Sequence, residues 1–91
     1  MHAVVVRVKI GDIEKAQPSL RERVVPRAKQ APGFVQGCWT RSEDGTNGLS
    51  MILFESEDQA RTALEQIRST PELADTVTLE SVEVREVVAQ A

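Results

Sequence analysis

The first ten residues of the chain alternate between two kinds of side chain. β-Branched residues occupy every second position from 4 to 10, and Arg7 and Lys9 fall between them. A two-residue period of this kind is typical of a β-strand with one apolar face and one mixed face. We therefore predict a strand over residues 2–10.

Residues 13–31 follow a different period. Their apolar positions recur at steps of three and four, which is the spacing of one face of an α-helix. Asp12 is suited to cap this helix, and Pro32-Gly33 is suited to end it. Pro26 lies inside the helix, where it removes a backbone hydrogen bond, so we predict a kink there.

Two shorter apolar segments, 34–41 and 49–55, are separated by the sequence SEDGTNG. Asp-Gly and Asn-Gly pairs favour tight turns, and strands joined so closely pair as an antiparallel hairpin. We therefore place the second and third strands in these segments.

A second helix and a fourth strand complete the pattern. Ser56 and Gln59 have the spacing of a capping box, and apolar residues recur on one side of the turns that follow. A short helical turn is predicted at 70–72, where a proline follows a threonine. The alternating residues 77–88 predict the fourth strand.

The resulting order, β-α-β-β-α-β, is the ferredoxin-like arrangement, an α+β fold in which an antiparallel sheet carries both helices on one face. No repeat or linker divides the chain, so we predict a single domain over residues 1–91. Whether the odd-numbered or the even-numbered residues of a strand face the helices, apolar residues remain on the other side of the sheet. They are Val35 with Trp39, Leu49 with Met51 and Leu53, and Val82 with Val84. We expect a second copy of the sheet to cover that side, which predicts a homodimer.

Composition narrows the functional classes. The chain has a net charge of −3 at pH 7 and a pI of about 5.1, which offers no general attraction for nucleic acid or an anionic membrane. The single Cys allows no internal disulfide and suits the reducing cytoplasm, and one His with one Cys makes no metal site. The apolar start is too short and too charged for a signal peptide or a membrane span. We predict a cytoplasmic protein without a bound metal.

A resemblance that extends over nearly the whole chain is carried by four stretches: AVVVRVKI, VVPRAKQAPGF, GCWTRSEDGTNGLSMILFES and SEDQARTALE. Together they resemble the antibiotic-biosynthesis-monooxygenase-like proteins of the dimeric α/β-barrel superfamily. The most typical feature is APGF followed by a strand, a hairpin and a strand that ends in FES. The resemblance implies two ferredoxin-like sheets packed face to face, with the helices outside and a cavity between sheet and helices in each subunit.

The same resemblance implies an oxygenase that needs no cofactor and acts on a small aromatic or quinol-type molecule. In such members the deprotonated substrate passes an electron to dioxygen, so the protein supplies an apolar cavity and polar groups that stabilise the anion. Trp39 and Phe34 are the candidate pocket residues, and Arg7 is the candidate for orienting the anion. The Tyr expected in polyketide-oxidising members is missing, because the chain has no Tyr. No catalytic residue is assigned.

Other interpretations stay open for these residues. Trp39 could pack in the core or at the dimer interface, and Arg7 could form an ion pair with a glutamate of the fourth strand. Cys38 points to the face opposite Trp39 and is expected to be a small buried thiol. For the whole protein, the alternative to an oxygenase is a non-catalytic dimeric module that binds a small apolar metabolite or has a structural role.

Overall fold

The computed structural model describes residues 1–11, 14, 18, 20–69 and 77–91. The elements within these ranges are β1 (His2–Ile10), a π-helical segment (Leu20–Val24), α1 (Val25–Gln30), β2 (Phe34–Arg41), β3 (Asn47–Phe54), α2 (Glu57–Arg68) and β4 (Val77–Glu86). The predicted helix start at Asp12 and the predicted helical turn at 70–72 lie outside the described residues.

The four strands form one antiparallel sheet in the order β2-β3-β1-β4. β1 lies in the interior of this sheet, and Ala3–Val6 within it are buried. One face of the sheet packs against Ala60, Ala63 and Leu64 of α2, and Ala31, at the end of α1, packs against the same core. The predicted ferredoxin-like α+β fold, with both helices on one face of the sheet, is confirmed.

Pro26 marks the boundary between two types of helix. The π-helical segment ends at Val24, and α1 starts at Val25 with Pro26 in its first turn. A proline costs little there, because the amides of the first turn have no partner within the helix. The kink predicted at Pro26 therefore takes the form of a change of helix type.

Two one-residue irregularities decide which side chains share a face. In β2 the pairing with β3 shifts between Phe34 and Gln36, which leaves Val35 as the extra residue. In β4 the pairing with β1 skips Glu80. An extra residue in one strand reverses the alternation beyond it. Trp39 therefore shares the helix-facing side with Phe34, and the simple alternation that grouped it with Val35 is wrong.

Asp44 organises the hairpin between β2 and β3. Its Oδ1 accepts hydrogen bonds from the Ser42 hydroxyl at 2.7 Å, the Thr46 hydroxyl at 2.8 Å and the Thr46 amide at 3.1 Å. Gly45 follows with a φ of 75°, a conformation that favours glycine. The hydrogen bond from Ser42, supported by those from Thr46, lowers the pKa of Asp44 from 3.8 to about 2.

The Asp44 carboxylate makes the hairpin sensitive to acid. Because its pKa is lower in the folded state, it stabilises the fold above pH 3.8, and this contribution is lost as the pH falls through about 2. We expect Asp44→Asn to lower the melting temperature near neutral pH and to approach wild type in strong acid. Thermal unfolding across this pH range tests it, with Glu43→Gln at the neighbouring exposed position as control. A difference in melting temperature that stays constant with pH would contradict this role.

Candidate functional site

The helix-facing side of the sheet is almost fully buried at one end and more accessible at the other. At the closed end, which we define by Val4, Phe54 and Ala60, the side chains are almost fully buried. At the open end the residues are only half-buried, and these are Val8, Trp39, Gly48, Ser50 and Leu79. Binding sites for small molecules are concave and mostly apolar with a few polar groups. The open end is therefore the candidate site.

Trp39 is held flat against the sheet by a neighbouring glycine. Alternation along β2 places Gly37 and Trp39 on the same face, and a Cβ at Gly37 would lie 2.5 Å from Cη2 of the indole. Any larger residue at position 37 would therefore displace the ring. The close approach turns the indole into a flat wall of the open end, where it also packs against the core.

Ser50 is the direct neighbour of Trp39 on β3. The register pairs Ser50 with Trp39 on one side and with Val6 on the other, so its side chain faces the helices. Within the part of the chain that the structure describes, no hydrogen bond engages the Ser50 hydroxyl or the Trp39 indole N–H. The open end thus combines a flat aromatic wall with two unpaired polar groups.

Sequence reasoning missed Ser50, although β3 carries a signal for it. The inward positions of this strand are Gly48, Ser50, Ile52 and Phe54, so they change from small to large along the strand. The Val8 side chain lies over Gly48, where a Cβ would be 2.9 Å from its Cγ2. This change of size, more than any motif, marks where the open end lies.

Phe34 lies on the same face as Trp39 but at the closed end. Its ring meets Phe54 edge to face, with the centroids 6.5 Å apart and the planes at 80°. This arrangement is favourable for aromatic pairs in a core. The structure therefore brings both predicted pocket residues to the helix-facing side, with Phe34 closing one end of the space and Trp39 lining the other.

The structure does not bring Arg7 together with Trp39 and Phe34. Arg7 is exposed and points to the opposite side of the sheet, between Leu49 and Ser81. An ion pair with Glu80, Glu83 or Glu86 of β4 is the other expectation for Arg7. Glu83 instead accepts a hydrogen bond at 2.8 Å from Nε of Arg85 on the same strand.

His2, the single histidine of the chain, lies at the closed end. Its Nε2 is 3.8 Å from Oε1 of Glu57 in the first turn of α2. The hydrogen bond and charge of Arg61 lower the pKa of Glu57, and His2 adds a smaller effect. Val6, the neighbour of Ser50, lies four positions after His2 in β1, which is about 13 Å along a strand. His2 is therefore remote from the open end.

The predicted capping box of α2 is half formed. The Ser56 side chain accepts a hydrogen bond from the Gln59 amide at 3.2 Å, as predicted. The Gln59 side chain does not complete the box, because its amide group lies against Gly33, whose φ of 80° suits glycine alone. Oε1 of Gln59 is buried there and has no hydrogen-bond partner among the described residues.

The side of the sheet away from the helices, which we call the uncovered face, is apolar and accessible. Leu49 and Met51 are 40% and 45% exposed there, and Val5 and Leu53 lie beside them. Cys38, expected to be buried, is exposed on this face. The exposure is local, since Val5 and Leu53 on the same side are only 5% and 7% exposed, whereas Met51, the partner of Cys38 on β3, is 45% exposed.

Two kinds of feature are absent from the described ranges. No group of three or more His, Cys, Asp or Glu residues there is placed to hold a metal ion. No helix in the same ranges is both long enough and apolar enough to cross a membrane.

Comparison with solved structures identifies the class of fold. SnoaB from Streptomyces nogalater, a cofactor-independent oxygenase, is 17% identical with a TM-score of 0.77, over 98% of this chain and 94% of that one. A monooxygenase from ActVA-Orf6 of Streptomyces coelicolor, in complex with nanaomycin D, is 17% identical with a TM-score of 0.64, over 99% and 92%. The chain therefore has the ferredoxin-like fold of the antibiotic-biosynthesis-monooxygenase-like proteins.

A third solved structure shares the fold. A dimeric ferredoxin-like protein from an uncultured marine organism is 12% identical with a TM-score of 0.70, over 100% of this chain and 98% of that one. No family model matches the sequence, and no curated protein matches it. The resemblance inferred from the sequence is thus confirmed by structure at the level of the fold.

Proposed function

We propose that the protein is a homodimeric, cofactor-independent monooxygenase-like enzyme that acts on a small aromatic or quinol-type molecule at the open end. The observation that carries the proposal is the indole of Trp39, laid flat against Gly37 beside the unpaired hydroxyl of Ser50. A flat apolar wall with a polar group at its edge suits a planar ring that bears oxygen. The fold shared with SnoaB and ActVA-Orf6 supports the same class of chemistry.

The substrate itself can supply the electrons for such a reaction. In the simplest case a ring CH₂ group reacts with dioxygen to give a ring carbonyl and water. One oxygen atom replaces two hydrogens on carbon, and the other leaves as water with those two hydrogens. The open end would contribute by orienting the ring and by excluding bulk water.

The homodimer in this proposal is supported by the uncovered face. Leu49 and Met51 present accessible apolar surface next to Val5 and Leu53, and apolar patches of this kind mark interaction sites. A second copy of the same sheet offers an equally apolar and flat surface, as an isologous interface requires. The dimeric ferredoxin-like neighbour supports the same assembly.

A non-catalytic module that binds a small apolar metabolite is the second candidate function. One observation favours it. General-base catalysis needs a proton acceptor within reach of the substrate, and His2 lies at the closed end, remote from Ser50. The chain has no Tyr that could take this role.

Dioxygen uptake separates the two functions. With anthrone and 1,4-naphthoquinol as probes, we expect oxygen consumption at least tenfold above the rate without protein, because the ring is held and shielded from water. An oxygen electrode measures the rate, and Thr62→Ala, which removes an exposed hydroxyl on α2, serves as the control variant. Uptake no faster than in buffer, from protein that binds the probes, would favour the binding module.

A further inference from the structure

We propose that the Ser50 hydroxyl is the specificity-determining group of the open end, and that it selects aromatic rings that carry an oxygen over rings of the same shape without one. The inference rests on the proposed binding site, and it names the feature of the ligand that the site recognises. It does not depend on whether the bound molecule is then oxidised.

The position of Ser50 is unusual for a polar residue. It occupies an inward position of β3, where its neighbours across the strands are Val6 and Trp39. The Ser50 hydroxyl is accessible, since it is not one of the buried polar atoms that lack a partner, so water can satisfy it until a hydrogen-bond partner binds. The described chain offers it none, so a ligand atom is the partner that the site is suited to receive.

Other hydroxyls of the molecule show what a purely structural role looks like. The Thr40 hydroxyl, on the next residue of β2 after Trp39, donates to the Leu49 carbonyl at 2.6 Å. The Ser69 hydroxyl, at the end of α2, donates to the Glu65 carbonyl at 2.7 Å. Each of these groups is satisfied by the backbone beside it. Ser50 differs because its hydroxyl stays available.

The geometry sets the chemistry of the ligand. Side chains that face each other across antiparallel strands have Cβ atoms about 5 Å apart, so Ser50 lies beside the base of the Trp39 side chain, whose indole extends over Gly37. A ring packed on the near part of the indole would present its edge to Ser50. A serine hydroxyl can both donate and accept a hydrogen bond. It can therefore bind a phenol, a phenolate or a quinone carbonyl at that edge, while a hydrocarbon edge leaves it unpaired.

Two probes of equal shape test the proposal. 1-Naphthol carries a hydroxyl where 1-methylnaphthalene carries a methyl group, and equilibrium dialysis measures the binding of each to the full chain. For Ser50→Ala we expect the Kd of 1-naphthol to rise about fivefold, the effect of one lost hydrogen bond. The Kd of 1-methylnaphthalene should change less than about twofold, since the ring still packs on Trp39. Thr62→Ala, which removes an exposed hydroxyl on α2, should leave both values unchanged.

The outcomes divide clearly. The role of Ser50 would be overturned if Ser50→Ala weakened the binding of both probes equally or left the Kd of 1-naphthol unchanged. It would also be overturned if neither probe bound to the wild-type protein. If Ser50→Ala selectively weakens 1-naphthol while anthrone and 1,4-naphthoquinol consume no dioxygen, the oxygenase proposal fails and the role of Ser50 stands. If the probes consume dioxygen and Ser50→Ala leaves the selectivity for 1-naphthol unchanged, the oxygenase proposal stands and the role of Ser50 fails.

Discussion

Replacing Met51 with aspartate is expected to convert the proposed dimer into monomers. Met51 is 45% exposed at the centre of the uncovered face, and a second copy packed there would bury the new carboxylate without a partner. Burying an unpaired charge costs several kcal/mol, and an isologous interface contains two of them. A total of about 4 kcal/mol weakens dimerisation roughly 1000-fold. Sedimentation equilibrium at micromolar concentration measures the change.

The matched control introduces the same charge at another exposed apolar residue. Val88, beyond the end of β4, is 91% exposed, and we expect Val88→Asp to sediment like wild type. A wild-type protein that is monomeric at micromolar concentration would refute the dimer itself. A Met51→Asp variant that remains dimeric would place the interface elsewhere on the molecule.

Substitutions at the two ends of the helix-facing side are expected to have opposite consequences. Phe54, 1% exposed at the closed end, contributes mainly to stability, and Phe54→Ala should lower the free energy of unfolding by about 4 kcal/mol. For a chain of this size that corresponds to a fall of roughly 20 °C in melting temperature. Trp39 is only half-buried, so Trp39→Ala should lower the free energy of unfolding by only about 2 kcal/mol. Its main effect should be to weaken the binding of 1-naphthol at least tenfold.

Thermal unfolding and equilibrium dialysis at one protein concentration test this contrast, since the stability of a dimer depends on concentration. Dialysis is done well below the melting temperature, where Phe54→Ala is still folded. We expect that variant to keep the Kd of 1-naphthol within about threefold of wild type. Equal effects of the two substitutions on binding would show that Trp39 packs in the core and lines no pocket.

The order of elements could be predicted from the sequence because each is marked by its own period. The valines of β1 alternate, the apolar residues of α2 repeat at helical steps, and a glycine-containing turn joins β2 to β3. These are local properties of the chain. They determine which segments become strands or helices, and the ferredoxin-like order then leaves few ways to connect them.

Which face each residue occupies was harder to predict. Phe34 and Trp39 are an odd number of positions apart, so plain alternation separates them, and the extra residue at Val35 brings them together. The sequence of β4 carries a comparable signal. Its apolar residues stop alternating between Leu79 and Val82, and Glu80, which lies between them, has no partner on β1. An irregularity of one residue depends on pairing with a distant strand, and a local pattern does not determine that pairing.

The site was partly predictable for a related reason. Trp39 stands out in any sequence with one tryptophan, whereas Ser50 is an ordinary residue type whose importance comes from its neighbours across the sheet. Arg7 looked suited to a pocket because it lies in a strand of valines, yet a shift of one position decides between the two faces. The type of a residue indicates which chemistry its side chain can perform, and the strand register determines on which face of the sheet that side chain lies.

The central position of β1 has a consequence for how the chain is made. β1 leaves the ribosome before the other strands and β4 leaves after them, yet the two lie side by side in the finished sheet. At roughly 5–20 residues per second, synthesis of the intervening segment takes several seconds. Throughout that time β1 exposes consecutive valines and an unpaired edge, which invite association with other chains. Until β4 has been made, this edge of β1 therefore stays open to pairing with a strand of another chain.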